Sequence, residues 1–262
     1  MAFLQVTFFS QTLGMNMDMD VLLPENPTSA PIKTVYLLHG MSGVNTSWFN
    51  DQRVMDVLDQ LIASGEACEM IVVSPNAGGN PSTEWNGYFN MPGWKYEDFF
   101  YQEFLPYIEK TYRIKADKGH RAIAGLSMGG GGATSYAQRH PDMFSSAYAM
   151  SALMNIPSGA ENPTPDPKSK MNLLTNAVIK NSCIKYIQDA DDARKNDLRT
   201  VAWFVDCGDD DFLLDRNIEF YQAMRNAGIP CQFRVRDGGH TGEYWHSALY
   251  TALPFVTRNF DK

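Results

Sequence analysis

One serine between two glycines, where an apolar run meets a helix-competent run, constrains this chain more than any other feature. The stretch reads Ala124-Gly125-Leu126-Ser127-Met128-Gly129-Gly130, preceded by Ala122 and Ile123 and followed by Ala133 to Gln138. A strand that turns sharply into a helix at a serine holds that residue in a strained backbone geometry. Gly125 and Gly129 remove the side chains that would otherwise collide across such a turn. The hydroxyl then stands out from the sheet edge, and the helix N-terminus aims its free N–H groups at whatever the oxygen attacks. That arrangement suits acyl transfer, provided a base, an acid and an oxyanion site occupy suitable places elsewhere. Without them the glycines Gly129 to Gly132 mark only a flexible turn.

The surrounding pattern supplies the frame. Thr34 to Leu38 and Met70 to Ser74 are continuous apolar runs, as strands buried on both faces require. Two N-terminal strands, Phe3 to Ser10 and Met17 to Leu23, are expected to join near Gly14. A proline-rich loop over 24–31 follows. Helical periodicity marks Val54 to Ser64 and Tyr96 to Tyr112. After the serine turn come strand Phe144 to Met150, strand Ala202 to Asp206, helix Leu213 to Ala227, strand Cys231 to Val235 and helix Glu243 to Phe260. Buried strands alternating with helices predict a single α/β domain over residues 1–262. Its mostly parallel, twisted sheet carries helices on both faces, and ligands sit at the strands' carboxyl ends.

One segment breaks the rhythm. Residues 152–199 contain no clear strand and open on four prolines between Pro157 and Pro167. Two weak helical stretches follow, near Lys170 to Ser182 and Ile184 to Asn196. An insertion at a strand's C-terminal end is expected to form a small cap that shapes the pocket.

Bulk properties exclude several classes. Lysine and arginine number 22 against 30 acids, a net charge of −8, and no basic run occurs. Nucleic acid and anionic membranes are therefore not expected partners. No apolar stretch is long enough to span a bilayer. Cys68, Cys183, Cys207 and Cys231 are scattered, without metal-ligand spacing, which fits a reducing cytoplasm. Cys207 follows the apolar run Val201 to Val205 and reads as a buried strand-end residue rather than a nucleophile. The expected partner is a small-molecule ester, with a homo-oligomer allowed and no cofactor or metal required.

A serine hydroxyl needs a base within hydrogen-bond reach. Of the five histidines, His39 ends a strand and braces the next loop. His120 lies at the wrong end of the sheet, His140 ends the helix after the serine, and His246 is inside the last helix. His240 follows the final strand in a glycine-rich loop, at the same sheet edge as Ser127. It is the best base by position. The carboxylate that orients it is expected just after strand Ala202 to Asp206, where Asp211 is favoured; Asp209, Asp210 and Asp237 remain rivals. The order Ser127, Asp211, His240 is that of α/β-hydrolases. The oxyanion donors are expected to be the N–H groups of Met128, directly after the serine, and Met41, in the loop after strand Thr34 to Leu38. Trp48, Trp85, Tyr88 and Trp94 are candidates to line the substrate pocket, although core packing is the commoner fate of such residues.

Four motifs together resemble the esterase D family. They are Leu37-Leu38-His39-Gly40-Met41-Ser42-Gly43, Gly125-Leu126-Ser127-Met128-Gly129-Gly130, Cys207-Gly208 followed by Phe212-Leu213, and Gly238-Gly239-His240 followed by Glu243-Tyr244-Trp245. The resemblance covers the chain apart from the cap. It implies an α/β-hydrolase fold with Ser127 as nucleophile, His240 as base, Asp211 as acid, and Met41 and Met128 as oxyanion donors. It implies a serine carboxylesterase, and the reading favours short-chain, acetyl-type esters, with carbohydrates among the alcohols considered. A feruloyl esterase is the alternative, and an S-formylglutathione hydrolase ranks lower because the loops are acidic or aromatic. A non-catalytic binding module on the same scaffold would be expected to lack a triad member.

Overall fold

The computed structural model describes residues 1–25 and 32–262. The proline-rich loop expected over 24–31 lies, from residue 26 onward, outside the described residues. Among the described residues, ten strands and ten α-helices follow one another in the order the alternation implies. The strands are β1 (Ala2–Ser10), β2 (Met15–Leu23), β3 (Thr34–Leu38), β4 (Ile71–Pro75), β5 (Asn90–Met91), β6 (Trp94–Lys95), β7 (Arg121–Leu126), β8 (Ser146–Met150), β9 (Ala202–Gly208) and β10 (Gln232–Arg236). The helices are α1 (Ser47–Asn50), α2 (Val54–Ala63), α3 (Tyr96–Phe99), α4 (Leu105–Thr111), α5 (Met128–Arg139), α6 (Lys170–Lys180), α7 (Cys183–Gln188), α8 (Asp192–Leu198), α9 (Leu214–Asn226) and α10 (Gly242–Asn259). The helix expected over Tyr96 to Tyr112 is interrupted: a π-helical turn, Phe100–Phe104, joins α3 to α4. The two-residue strands β5 and β6, which turn at Gly93, carry too few residues to show a period.

Eight strands form one sheet in the order β1-β2-β4-β3-β7-β8-β9-β10. β1, β2 and β4 pair antiparallel, and from β4 through β10 every pairing is parallel. Alternate residues of β3 show why its sequence is apolar throughout. Tyr36 and Leu38 enter one core with Phe99, Phe104, Tyr136 and Phe220. Val35 and Leu37 enter a second core, with Val57 and Leu61 of α2 and Leu249 and Phe255 of α10. A strand covered on both faces cannot place a polar residue on either without leaving it unsolvated.

The carboxyl ends of the parallel strands are spaced by backbone contact, not by side chains. A Cβ on Gly125 would lie 2.2 Å from the carbonyl oxygen of Gly129, and one on Gly129 would lie 2.1 Å from that of Leu38. The start of α5 therefore crosses directly over the ends of β7 and β3. The expectation of a glycine-dependent turn is met, and the helix begins at Met128.

His39, at the end of β3, is fully buried. Its Nε2 accepts the N–H of Ala77 at 2.8 Å, so Nδ1 carries the proton and donates to the carbonyl oxygen of Gly40 at 2.8 Å. Burial lowers its pKa to about 4, against the partial offset of the Gly40 hydrogen bond. The imidazole braces the turn that follows β3, as its position suggested.

The segment expected to cap the site forms α6, α7 and α8. Ser169, Ser182 and Asp191 cap their N-termini by accepting the N–H groups of Asn172, Lys185 and Arg194. α7 is fastened to α5 and to the loop after β8. The Cys183 N–H donates to the carbonyl oxygen of Met154, and the Gln138 amide of α5 donates to the carbonyl oxygen of Cys183 at 3.0 Å. Tyr186 of α7 donates to the carbonyl oxygen of Gln138.

Two outcomes test this account. Gly129→Ala gains about 1 kcal/mol of helix propensity but must push α5 off Leu38. A net loss of about 2 kcal/mol is expected in chemical denaturation. For His39, the folded pKa lies below the free value of 6.5. The unfolded chain therefore takes up a proton between pH 6.5 and 4 that the folded chain refuses. The stabilisation is complete above pH 6.5 and is lost as pH falls towards 4, by about 3 kcal/mol in all. Denaturation midpoints of wild type and His39→Gln should converge as pH falls from 7 to 4.5.

Candidate active site

Ser127 sits at the junction of β7 and α5 with φ 54° and ψ −121°. A positive φ at a non-glycine residue costs on the order of 1–3 kcal/mol and persists only where the surroundings enforce it. Here three backbone hydrogen bonds do so. The Ser127 N–H donates to the carbonyl oxygen of Met150 at 2.9 Å, and the Ser127 carbonyl oxygen accepts from Gly131 and from Leu153.

His240 Nε2 lies 2.9 Å from Ser127 Oγ, and its Nδ1 lies 3.0 and 2.9 Å from the two carboxylate oxygens of Asp211. A carboxylate only accepts, so Nδ1 carries the proton and Nε2 is left to accept from the serine hydroxyl. The Asp211 side chain is fully buried. Burial alone would raise its pKa. The hydrogen bonds from His240 and from the Leu213 N–H outweigh that and hold the carboxyl below its ordinary value. Asp211 thus stays charged beside the imidazole. Its rivals lie at the surface: Asp209, Asp210 and Asp237 bring their carboxylates together there, and Asp209 accepts the Gly238 N–H at 3.0 Å. That bond, with the Asp210 N–H donating to the carbonyl oxygen of Gly238, pins the loop that carries His240.

A cavity of about 440 Å³ opens over Ser127. Met41 and Met128 both line it. Met128 is the first residue of α5, where an N–H has no acceptor within the helix. Gly40, Met41 and Ser42 follow β3 in a turn closed by the Gly43 N–H on the carbonyl oxygen of Gly40. Phe212 and Trp245 flank His240, their ring centroids 4.6 and 4.9 Å from the imidazole. Phe212 is 67% exposed, an unusual state for a phenylalanine, and it lines the cavity.

The aromatic residues expected at the pocket are elsewhere. Trp48 is fully buried in the core beneath α2 and α10. Tyr88 is buried and donates to the carbonyl oxygen of His39 at 2.8 Å, so it supports the loop from behind. Trp85 stacks on Trp94 and lines a different cavity. Trp48 and Tyr88 fold inward, where large apolar groups are desolvated, whereas Trp85 is half-buried at its own cavity. From the segment over 152–199 only Leu153 lines the Ser127 cavity, because α7 packs against α5 and α9 rather than over the serine.

Cys207 is buried. Burial, reinforced by the carboxylates of Asp211 and Asp206, pushes its thiol up to about 12, so it carries no thiolate at neutral pH. All four cysteines are free.

A network that the sequence reading missed lies beneath the site. Asp206 is fully buried and accepts from Tyr148 at 2.7 Å and Tyr244 at 2.5 Å, and it pairs with Arg234. The guanidinium of Arg236 lies 3.7 Å from the centre of the Tyr244 ring and donates to the Tyr244 carbonyl oxygen. The network joins β8, β9, β10 and the first turn of α10, the elements on either side of the His240 loop. Alternating arginines on β10, opposite an acid on β9, were the available signal; in register, Arg234 faces Asp206.

Comparison with known proteins gives the family. The family model described as "Putative esterase" matches residues 10–256. An acetyl esterase from Caldicellulosiruptor saccharolyticus is 23% identical, over the full length of both chains. An endo-1,4-beta-xylanase/feruloyl esterase from Xylanibacter ruminicola is 30% identical over 94% of this chain, which spans 30% of that longer protein. A solved ferulic acid esterase is 65% identical, with a TM-score of 0.96 over 99% of this chain and 98% of that one. An S-formylglutathione hydrolase from Staphylococcus aureus is 25% identical, with a TM-score of 0.80 over 98% of each chain. Among the described residues no helix is long and apolar enough to cross a membrane. The chain belongs to this esterase family, and it is a carboxylic ester hydrolase with an α/β-hydrolase fold.

Proposed function

We propose that this esterase cleaves hydroxycinnamoyl (feruloyl-type) esters of carbohydrates through a serine acyl-enzyme. The observation that carries the reading is the pair of aromatic rings, Phe212 and Trp245, that line the cavity and pack against the imidazole lying 2.9 Å from Ser127 Oγ. An acetyl group would use little of a cavity of about 440 Å³, whereas a planar aryl acyl chain gains from aromatic walls. The 65% identity to a ferulic acid esterase supports the same choice.

In this mechanism Ser127 Oγ attacks the ester carbonyl carbon while His240 Nε2 takes the hydroxyl proton. Asp211 holds the ring in place and stabilises the imidazolium. The negative charge that develops on the carbonyl oxygen is received by the N–H groups of Met41 and Met128. Collapse breaks the bond to the alcohol oxygen, which leaves with the proton from His240. Water then attacks the acyl-enzyme, giving its proton to His240, and Ser127 is restored as the acid departs.

Short acyl esters are the second reading, favoured by the full-length similarity to an acetyl esterase. An S-formylglutathione substrate is disfavoured because neither lysine nor arginine lines the cavity at Ser127, while Asp51 does.

Ser127→Ala and Asp211→Asn should each lower kcat on methyl ferulate by about a thousandfold or more. Asp209→Asn and Asp210→Asn should stay within about threefold of wild type. Equal losses in all three aspartate variants would remove Asp211 from its role. Phe212→Ala should raise KM for methyl ferulate by about tenfold and leave p-nitrophenyl acetate turnover nearly unchanged. A wild type that hydrolyses the acetate but not the ferulate would return the assignment to short acyl esters.

A further inference from the structure

A second cavity, of about 350 Å³, lies on the same edge of the sheet as Ser127 and takes no part in the chemistry above. It is built where β4 ends and β2 begins. Because β4, β3 and β7 run parallel, the end of β4 and the serine turn share one edge. They are two inter-strand spacings apart, about 10 Å. Lining residues include Trp85, Met15, Asp18, Asn76, Glu84 and Lys170.

The wall that presents Trp85 is rigid. The Gly79 N–H donates to the carbonyl oxygen of Trp85, and Gly87 N–H donates to that of Ala77. The Asn86 side chain donates to the carbonyl oxygen of Gly79 at 2.6 Å. A Cβ on Gly78 would lie 1.9 Å from the Trp85 carbonyl oxygen, so the loop closes on itself with no slack. Trp94 stacks behind Trp85 with the ring planes 9° apart. Lys170 Nζ stands 5.5 Å from the Trp85 ring centre and is held by the carbonyl oxygen of Thr83. The Ala77 N–H donates to His39 Nε2, and His39 lines the Ser127 cavity. The two cavities are thus tied to each other through one buried imidazole.

The chemistry of the second cavity selects its ligand. Two carboxylates and one ammonium oppose an anion. Asp18, Glu84 and Asn76 offer acceptors, and Asn76 and Lys170 offer donors; a hydroxyl group uses both kinds. The exposed part of the Trp85 indole and the Met15 side chain, 45% exposed, offer apolar contact to a C–H face. A ring that carries hydroxyls on its rim and C–H groups on its face is a sugar. We infer that this cavity is a subsite for a neutral sugar unit of the oligosaccharide whose ester reaches Ser127. The inference extends the carbohydrate-ester reading above, on which its role in turnover rests.

Titration of xylotetraose and cellotetraose into wild type, Trp85→Ala and Lys170→Met, followed by calorimetry, tests the binding directly. Wild type should bind at least one of them, and both variants should bind it about tenfold more weakly. The same variants should raise KM for a feruloylated oligosaccharide by a similar factor, with kcat preserved, and leave KM for methyl ferulate unchanged. Lys170→Met keeps the test sound if Trp85→Ala perturbs its loop. No binding by wild type, undiminished binding by both variants, or a parallel rise in KM for both substrates would overturn the subsite. Failure of wild type to hydrolyse methyl ferulate would instead count against the hydroxycinnamoyl reading, while the titration still decides the sugar site.

Discussion

The strained backbone of Ser127 is the constraint on which the rest of the molecule depends. Its φ of 54° is unfavourable for any side chain larger than hydrogen, yet three backbone hydrogen bonds, one to the Met150 carbonyl and two from the Gly131 and Leu153 N–H groups, enforce it. Those bonds exist because α5 begins flush against the ends of β7 and β3, which requires that nothing project from Gly125 or Gly129. The two apolar cores on either face of the sheet keep the strand ends aligned. Large opposing folding terms leave a margin of about 5–15 kcal/mol, and the strain at this one residue subtracts from it.

Much of this was legible in the sequence, for a physical reason. A strand buried on both faces is apolar along most of its length, so β3 and β4 announce themselves as runs. A strand-to-helix turn around a nucleophile needs small residues at fixed offsets, so Gly125 and Gly129 mark it. The chain order Ser127, Asp211, His240 placed three side chains at one sheet edge, and their atoms lie 2.9 to 3.0 Å apart in series. Asp211 could not be separated from Asp209 and Asp210 by sequence alone. The choice depends on which carboxylate turns inward, and that follows from the backbone path after Gly208.

Aromatic residues were the least readable. Trp48, Tyr88 and Phe212 occupy similar loops in the sequence, yet the first two are buried and the third is exposed. A large ring near a site can be a prop or a contact, and only the direction in which its loop folds distinguishes them. The segment over 152–199 was misplaced for a related reason. Its capping residues specify three helices, but the surface against which α7 packs is the small-residue face of α5, where the Cys183 thiol reaches the Gly131 carbonyl oxygen. The absence of side chains on that face drew the insertion sideways.

The nucleophile and the base belong to regions of different depth. Ser127 stands at the end of a central strand, walled in by backbone on both sides. His240 hangs from β10, the outermost strand, in a loop held by Asp209 and by the Asp206 ion pair under Tyr244. Fraying that begins at the outer margin therefore withdraws the imidazole before the core is disturbed. Such a protein can fall silent while its bulk spectroscopic signature still looks native.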